Sequence, residues 1–105
     1  MAKSDEAKVT EDVVKYIKKL HDEDGVPIRL FNRSGYTPVH GLPDKYAVLS
    51  GFHIEIELKG IGGTPSSAQL RFEQEIKDIG CLYIRPGSFK EFKEWIDNVI
   101  EALKK

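Results

Sequence analysis

The chain has 105 residues, 40% of them hydrophobic and 31% charged, a length that supports one domain (residues 1–105) with a modest core and no need of staples. No apolar run approaches bilayer length and the amino terminus lacks a signal-peptide core, so the expected location is cytoplasmic with no membrane partner. The formal net charge of −1, from 16 Lys plus Arg against 17 Asp plus Glu, neither advertises nor excludes nucleic-acid binding, because carboxylates that recruit cations offset basic residues elsewhere.

Residues 5–24 predict a helix, with Val9, Val13, Tyr16, Ile17 and Leu20 on one stripe, Ser4 as N-cap and Gly25 as the stop. "VPIRLFN" at 26–32 predicts a short strand whose Pro27 confines it to a strand start or an edge. "RSGYTPVHGLP" at 33–43 reads as loop. "DKYAVLS" at 44–50 predicts a second strand, with Ser50-Gly51 the tight turn into a third strand over 51–60. After a glycine loop, Thr64-Pro65 predicts a helix start, and the helix to about residue 79 is expected to bury Ala68, Phe72, Ile76 and Ile79. A strand at 81–85 leads to a helix at 88–103 with Phe89, Phe92, Trp95, Ile96, Val99 and Leu103 facing inward. The order α-β-β-β-α-β-α predicts a small mixed α/β sheet with helices packed on it. The single cysteine, Cys81, lies in an apolar run and is expected to be an inert core thiol.

The third strand, "GFHIEIELKG", alternates strictly: Phe52, Ile54, Ile56 and Leu58 on one face, His53, Glu55, Glu57 and Lys59 on the other. A hairpin turning at Ser50-Gly51 sets Asp44 opposite Glu57, so two carboxylates and one ammonium converge at one end of the sheet, provided the register does not slip. Two carboxylates make a hard oxygen site for Mg²⁺ or Mn²⁺, the carbonyl of Leu58 offers another oxygen, and Lys59 suits positioning water or stabilising charge on a phosphate. The competing reading is a solvated face in which Glu57 and Lys59 form an exposed ion pair of little worth.

"GLPD" at 41–44 followed by "IELKG" at 56–60 resembles the PD-(D/E)xK nuclease signature. With Gln69 in "SSAQLRFEQEI" and the following "GCLYIR" strand, the chain resembles the virus-type replication-repair nuclease (VRR-NUC) family over about residues 6–96. The resemblance implies a restriction-endonuclease-like core and a metal-dependent DNA nuclease acting on Holliday junctions, flaps or other branched DNA. It implies that Asp44 and Glu57 bind metal, that Lys59 is the catalytic lysine, and that Gln69 is the motif glutamine. It also implies a metal-binding glutamate on the first helix. Glu6 and Glu11 are the candidates, and the helical phase favours Glu6, which shares the stripe of Val13.

Other residues carry less. Arg33, Ser34 and Tyr36 offer types that suit DNA backbone contact and stacking, and His40 lies close enough to the Gly41–Asp44 motif to touch substrate; a plain surface loop is the alternative. Glu55 is expected at a solvent or DNA edge, and His21 and His53 at the surface. The glycines at 60, 62 and 63 lack the lysine and hydroxyl of a nucleotide-binding loop. Cutting both strands of a junction needs two sites, which points to a two-fold homodimer, with Tyr83 and the last helix either its interface or part of the core. A non-catalytic nucleic-acid-binding module of the same fold and a nuclease acting on RNA are the alternatives.

Overall fold

The computed structural model describes residues 5–33, 41–58 and 63–104. Seven elements follow the expected order: α1 (Asp5–Asp22), β1 (Ile28–Asn32), β2 (Lys45–Leu49), β3 (Phe52–Ile56), α2 (Ser67–Asp78), β4 (Leu82–Ile84) and α3 (Phe89–Leu103). The strands form one sheet in the order β1-β2-β3-β4. The first three are antiparallel neighbours, and β4 joins β3 in parallel after the α2 crossover.

The hairpin between β2 and β3 fixes the register of the centre. Its two turn residues, Ser50 (φ 50°) and Gly51 (φ 85°), both take positive φ, as the turn type that matches strand twist requires. Leu49 therefore pairs with Phe52 and Lys45 with Ile56, as the sequence predicts.

Ile54 and Ile56 of β3 then face the helices, whereas Phe52, expected on the same apolar face, is 52% exposed at the start of the strand. Ile28, Ala47, Leu49, Ile54 and Ile56 meet Val13, Ile17 and Leu20 of α1 and Phe92, Ile96 and Ile100 of α3 in one core. Each Val, Leu, Ile or Phe side chain among them contributes roughly 1.5–3 kcal/mol of apolar burial. Acidic Asp5 and Glu6 in the first turn of α1 suit the helix dipole. Ser88 caps α3 by accepting from the Glu91 N–H at 3.1 Å.

Several expectations need correction here. Helix α2 starts later than Thr64-Pro65 implies: Ser66 is the N-cap, accepting from the Gln69 N–H at 3.1 Å while its own N–H donates to Gln69 Oε1 at 2.7 Å. None of its residues is fully buried, and Ile79, expected inside, is 79% exposed beyond the helix end. The reason is that α2 lies over β4 on the second face of the sheet, outside the main core, with Phe72 against Tyr83. On α3 the inward residue missed is Ile100, whereas Leu103 is exposed. Regular pairing in β3 stops at Ile56, although the Glu57 N–H still donates to the Ile84 carbonyl at 3.0 Å. Cys81 is half-buried, outside the core, with its thiol donating to the His53 carbonyl at 3.2 Å. Ser4 lies outside the described residues.

Candidate active site

Asp44 and Glu57 stand just beyond the last β2–β3 pair, Lys45 and Ile56, and one further step of that register sets them opposite each other. The Asp44 side is anchored by its backbone. Pro43 is fully buried, and the Asp44 carbonyl accepts from the Arg33 N–H at 2.6 Å. The Glu57 side is anchored by the hydrogen bond to Ile84 and by burial of Leu58. Glu57 is 1% exposed, a carboxylate that the fold holds in place rather than a solvated strand charge.

Gln69 explains itself structurally. Its Oε1 accepts from the Ser66 N–H, which leaves its amide nitrogen as donor, and that nitrogen reaches Glu57 Oε2 at 3.4 Å. One side chain thus completes the cap of α2 and touches the buried acid. The glycine that opens "GLPD" makes this approach possible. Gly41 has φ +86°, and a Cβ there would lie 2.4 Å from the Ala68 carbonyl oxygen and 2.9 Å from the Gln69 nitrogen. The motif loop and the first turn of α2 therefore touch backbone to backbone.

The donor set suits a hard divalent cation: two carboxylates on adjoining segments, with the Leu58 carbonyl next in chain to Glu57. Among the described residues no group of three His, Cys, Asp or Glu side chains gathers to hold a metal, so Glu6 does not join Asp44 and Glu57 in a three-acid cluster. Glu6 is half-buried in the first turn of α1. Glu11 is bound by Lys15 at 2.9 Å. Lys59, Ser34, Tyr36 and His40 lie outside the described residues.

Arg33 and Glu55 depart from expectation together. Glu55, expected at a solvent or DNA edge, is 2% exposed. Arg33, expected against DNA, instead donates from Nη1 to Glu55 Oε1 at 2.6 Å and from Nη2 to Glu55 Oε2 at 2.5 Å. This bidentate pairing raises the already high pKa of the guanidinium, so the cation is permanent. His53, expected as an ordinary surface residue, bonds Glu55 through Nε2 and stacks on Tyr46 at 5.0 Å. Sequence reasoning missed this network because its partners are far apart in the chain and lie on strands that do not pair, β1 and β3, with β2 between them.

On the other flank, Tyr83 pairs with Glu55 in the β3–β4 ladder and packs under α2. It belongs to the protein interior, at 6% exposure. Arg85 and Lys77 both bind Glu73, at 3.2 and 2.7 Å. Burial pushes the Glu73 carboxyl up, but these two cations outweigh it and leave its pKa below the usual carboxylate value. Among the described residues Tyr83 Oη and Arg85 Nε are buried donors without an acceptor. Burial first, then the charges of Glu57 and Glu73, push the Tyr83 phenol from 10.0 up to about 12. Because the folded state holds this proton more tightly, its contribution to stability is whole below pH 10 and is lost as the pH rises through about 12. Tyr83→Phe is expected to lack that alkaline loss and, at pH 7, to change stability by between zero and about +1 kcal/mol, since it removes an unsatisfied hydroxyl. Thermal melts of both proteins at pH 7 and at about pH 12 check this; a variant melting well below wild type at pH 7 would show that the hydroxyl is bonded.

Acids at the mouth of a hairpin, a helix capped by a glutamine that touches one of them, and a mixed sheet backed by helices define a nuclease-like α/β domain. A solved structure described as "VRR_NUC domain" is similar to this chain, with a TM-score of 0.69 and 25% sequence identity over 90% of this chain and 97% of that chain. The resemblance read from the sequence motifs is thus found again in three dimensions, and the neighbour suggests a nuclease-type domain. No family model and no curated protein matches the sequence.

Proposed function

We propose that this chain is a metal-dependent endonuclease that hydrolyses DNA phosphodiester bonds at branched structures such as Holliday junctions or flaps, acting in the cytoplasm as a homodimer. The observation that carries the reading is the β2–β3 register, which ends at Lys45 and Ile56 and when carried one step further sets Asp44 opposite Glu57, together with Gln69 on the buried acid. In this reading Asp44, Glu57 and the Leu58 carbonyl hold Mg²⁺ or Mn²⁺; Glu6, which among the described residues is not gathered with these acids, is the α1 residue that the family resemblance offers as a further ligand once the ion is bound. A cation held there supplies Lewis acidity to the phosphodiester and acidity to the attacking water. Glu57, buried and held by Gln69, keeps its oxygens aimed without reorganisation. Lys59 follows Leu58 in the chain, and in this reading its ammonium orients water or stabilises the negative charge that develops on the phosphate. Ser34, Tyr36 and His40 precede the motif in the sequence, and in this reading they are the residues that contact the DNA backbone. The branched substrate follows from the family resemblance and from the small surface for reading sequence; the dimer follows from the need for two sites on one junction.

Cleavage of labelled four-way-junction, flap and duplex DNA, and of the same molecules made of RNA, tests the reading. Hydrolysis in Mg²⁺ or Mn²⁺ that stops with EDTA is expected. Lys59→Ala is expected to lose about 10²-fold or more in rate while Mn²⁺ binding is largely kept. Activity that survives EDTA, or a fully active Lys59→Ala protein, ends the metal-nuclease reading, and DNA binding without cleavage favours the non-catalytic alternative.

The helix ligand is tested separately. Glu11 is engaged by Lys15, whereas Glu6 sits seven positions before fully buried Val13 and so on the same face. Glu6→Gln is expected to slow cleavage about tenfold more than Glu11→Gln in parallel rate measurements; the reverse ordering would remove Glu6 from the site.

A further inference from the structure

Arg33 stands one residue past β1 and ties three segments together. Its Nη1 donates to the Pro43 carbonyl at 2.7 Å as well as to Glu55, and its backbone N–H donates to the Asp44 carbonyl at 2.6 Å. The guanidinium lies 4.9 Å from the centre of the Tyr46 ring, which is itself stacked between Phe31 at 5.1 Å and His53 at 5.0 Å. Glu55 is two positions before Glu57 on the same strand face. The two acids of the candidate site are therefore joined through one path: Asp44 backbone, Arg33, Glu55, then one strand step to Glu57.

A buried ion pair is a weak source of stability, because desolvating both charges offsets most of their attraction, and an apolar pair of similar volume often serves as well. What the apolar pair lacks is direction. A planar guanidinium bound at both ends of one carboxylate and also to a backbone carbonyl admits one orientation. We infer that Arg33 and Glu55 are positioning residues, a clamp that fixes the Pro43–Asp44 backbone against β3 so that the carboxylates of Asp44 and Glu57 are presented at one fixed separation. This rests on the nuclease reading of the same site. Neither residue touches the substrate; both act through Asp44.

The test compares the full-length wild type with Glu55→Gln and with the double variant Arg33→Met/Glu55→Met. Five quantities are read: the melting temperature, Mn²⁺ affinity by calorimetry, kcat and KM on the DNA cut best, and hydrogen exchange of the backbone amide at position 33. The double variant is expected to melt close to wild type. Its kcat is expected to fall about tenfold to a hundredfold and its Mn²⁺ affinity about tenfold, with KM changed less than about twofold. The amide at position 33 is expected to exchange about tenfold faster while those of β2 and β3 keep their rates. If the double variant does not fold, Glu55→Gln, which keeps the shape, is read by the same five quantities with the same direction expected. A folded variant with wild-type kcat, Mn²⁺ affinity and exchange overturns the clamp. So does a rise in KM alone, which would make Arg33 a DNA contact. Wild-type protein that neither binds Mn²⁺ nor cuts DNA marks the failure of the nuclease reading, and the exchange rate then decides the clamp by itself.

Discussion

Asp44→Asn is expected to lower the rate of DNA cleavage about 10³-fold and to weaken Mn²⁺ binding about a hundredfold, with the fold intact. The substitution keeps the shape of the side chain and leaves the backbone carbonyl that accepts from the Arg33 N–H in place. What it removes is the carboxylate that the β2–β3 register, carried one step past Lys45 and Ile56, sets opposite Glu57. A hard cation binds anionic oxygen far more strongly than an amide oxygen, and Glu57 alone, even held by Gln69, offers half of the charge. Circular dichroism establishes that the variant is folded, calorimetry reads the metal and single-turnover cleavage reads the rate. Unchanged Mn²⁺ affinity would take Asp44 out of the site.

The second large effect is on the scaffold. Gly41→Ala is expected to destabilise the protein by about 2–4 kcal/mol and to slow cleavage about tenfold. Two costs add. The backbone at Gly41 has φ +86°, which costs a residue with a Cβ about 1–2 kcal/mol. The new methyl would also fall 2.4 Å from the Ala68 carbonyl oxygen, a backbone atom that no rotamer change can move. Relief requires the first turn of α2 to shift away from the motif loop, and that shift carries Gln69 away from Glu57. Denaturant titration followed by far-ultraviolet circular dichroism gives the loss of stability. An alanine variant as stable and active as wild type would show that the loop and α2 do not press together.

How much of this was legible in the sequence depended on the range of the interaction. The β2–β3 register was, because a two-residue turn and an unbroken period-two pattern leave one pairing, and Asp44 opposite Glu57 follows from it. The inner faces of α1 and α3 were largely so, since both helices rest on the apolar face of the sheet and their stripes report it. The face of α2 was not. Ala68, Phe72, Ile76 and Ile79 have the spacing of a buried stripe, yet the helix lies over one short strand, and a stripe cannot say how much protein will cover it. The start of α2 was misread because Thr64-Pro65 and Ser66 are both competent caps, and the reciprocal bond with Gln69 decides between them. The Arg33–Glu55 pair was invisible, joining residues 22 positions apart across β2, between strands that do not pair and whose contact no local pattern encodes. Charge alone read Glu55 as solvent-facing, whereas a partner of the right shape allowed its burial.

The most direct test is a crystal of the protein soaked in Mn²⁺ and measured at a wavelength where manganese scatters anomalously. One peak within coordinating distance of carboxylate oxygens from both Asp44 and Glu57 is the expected result. A map with no peak between them, or with the two side chains turned into separate regions of solvent, would contradict a shared cation and with it the hydrolytic site.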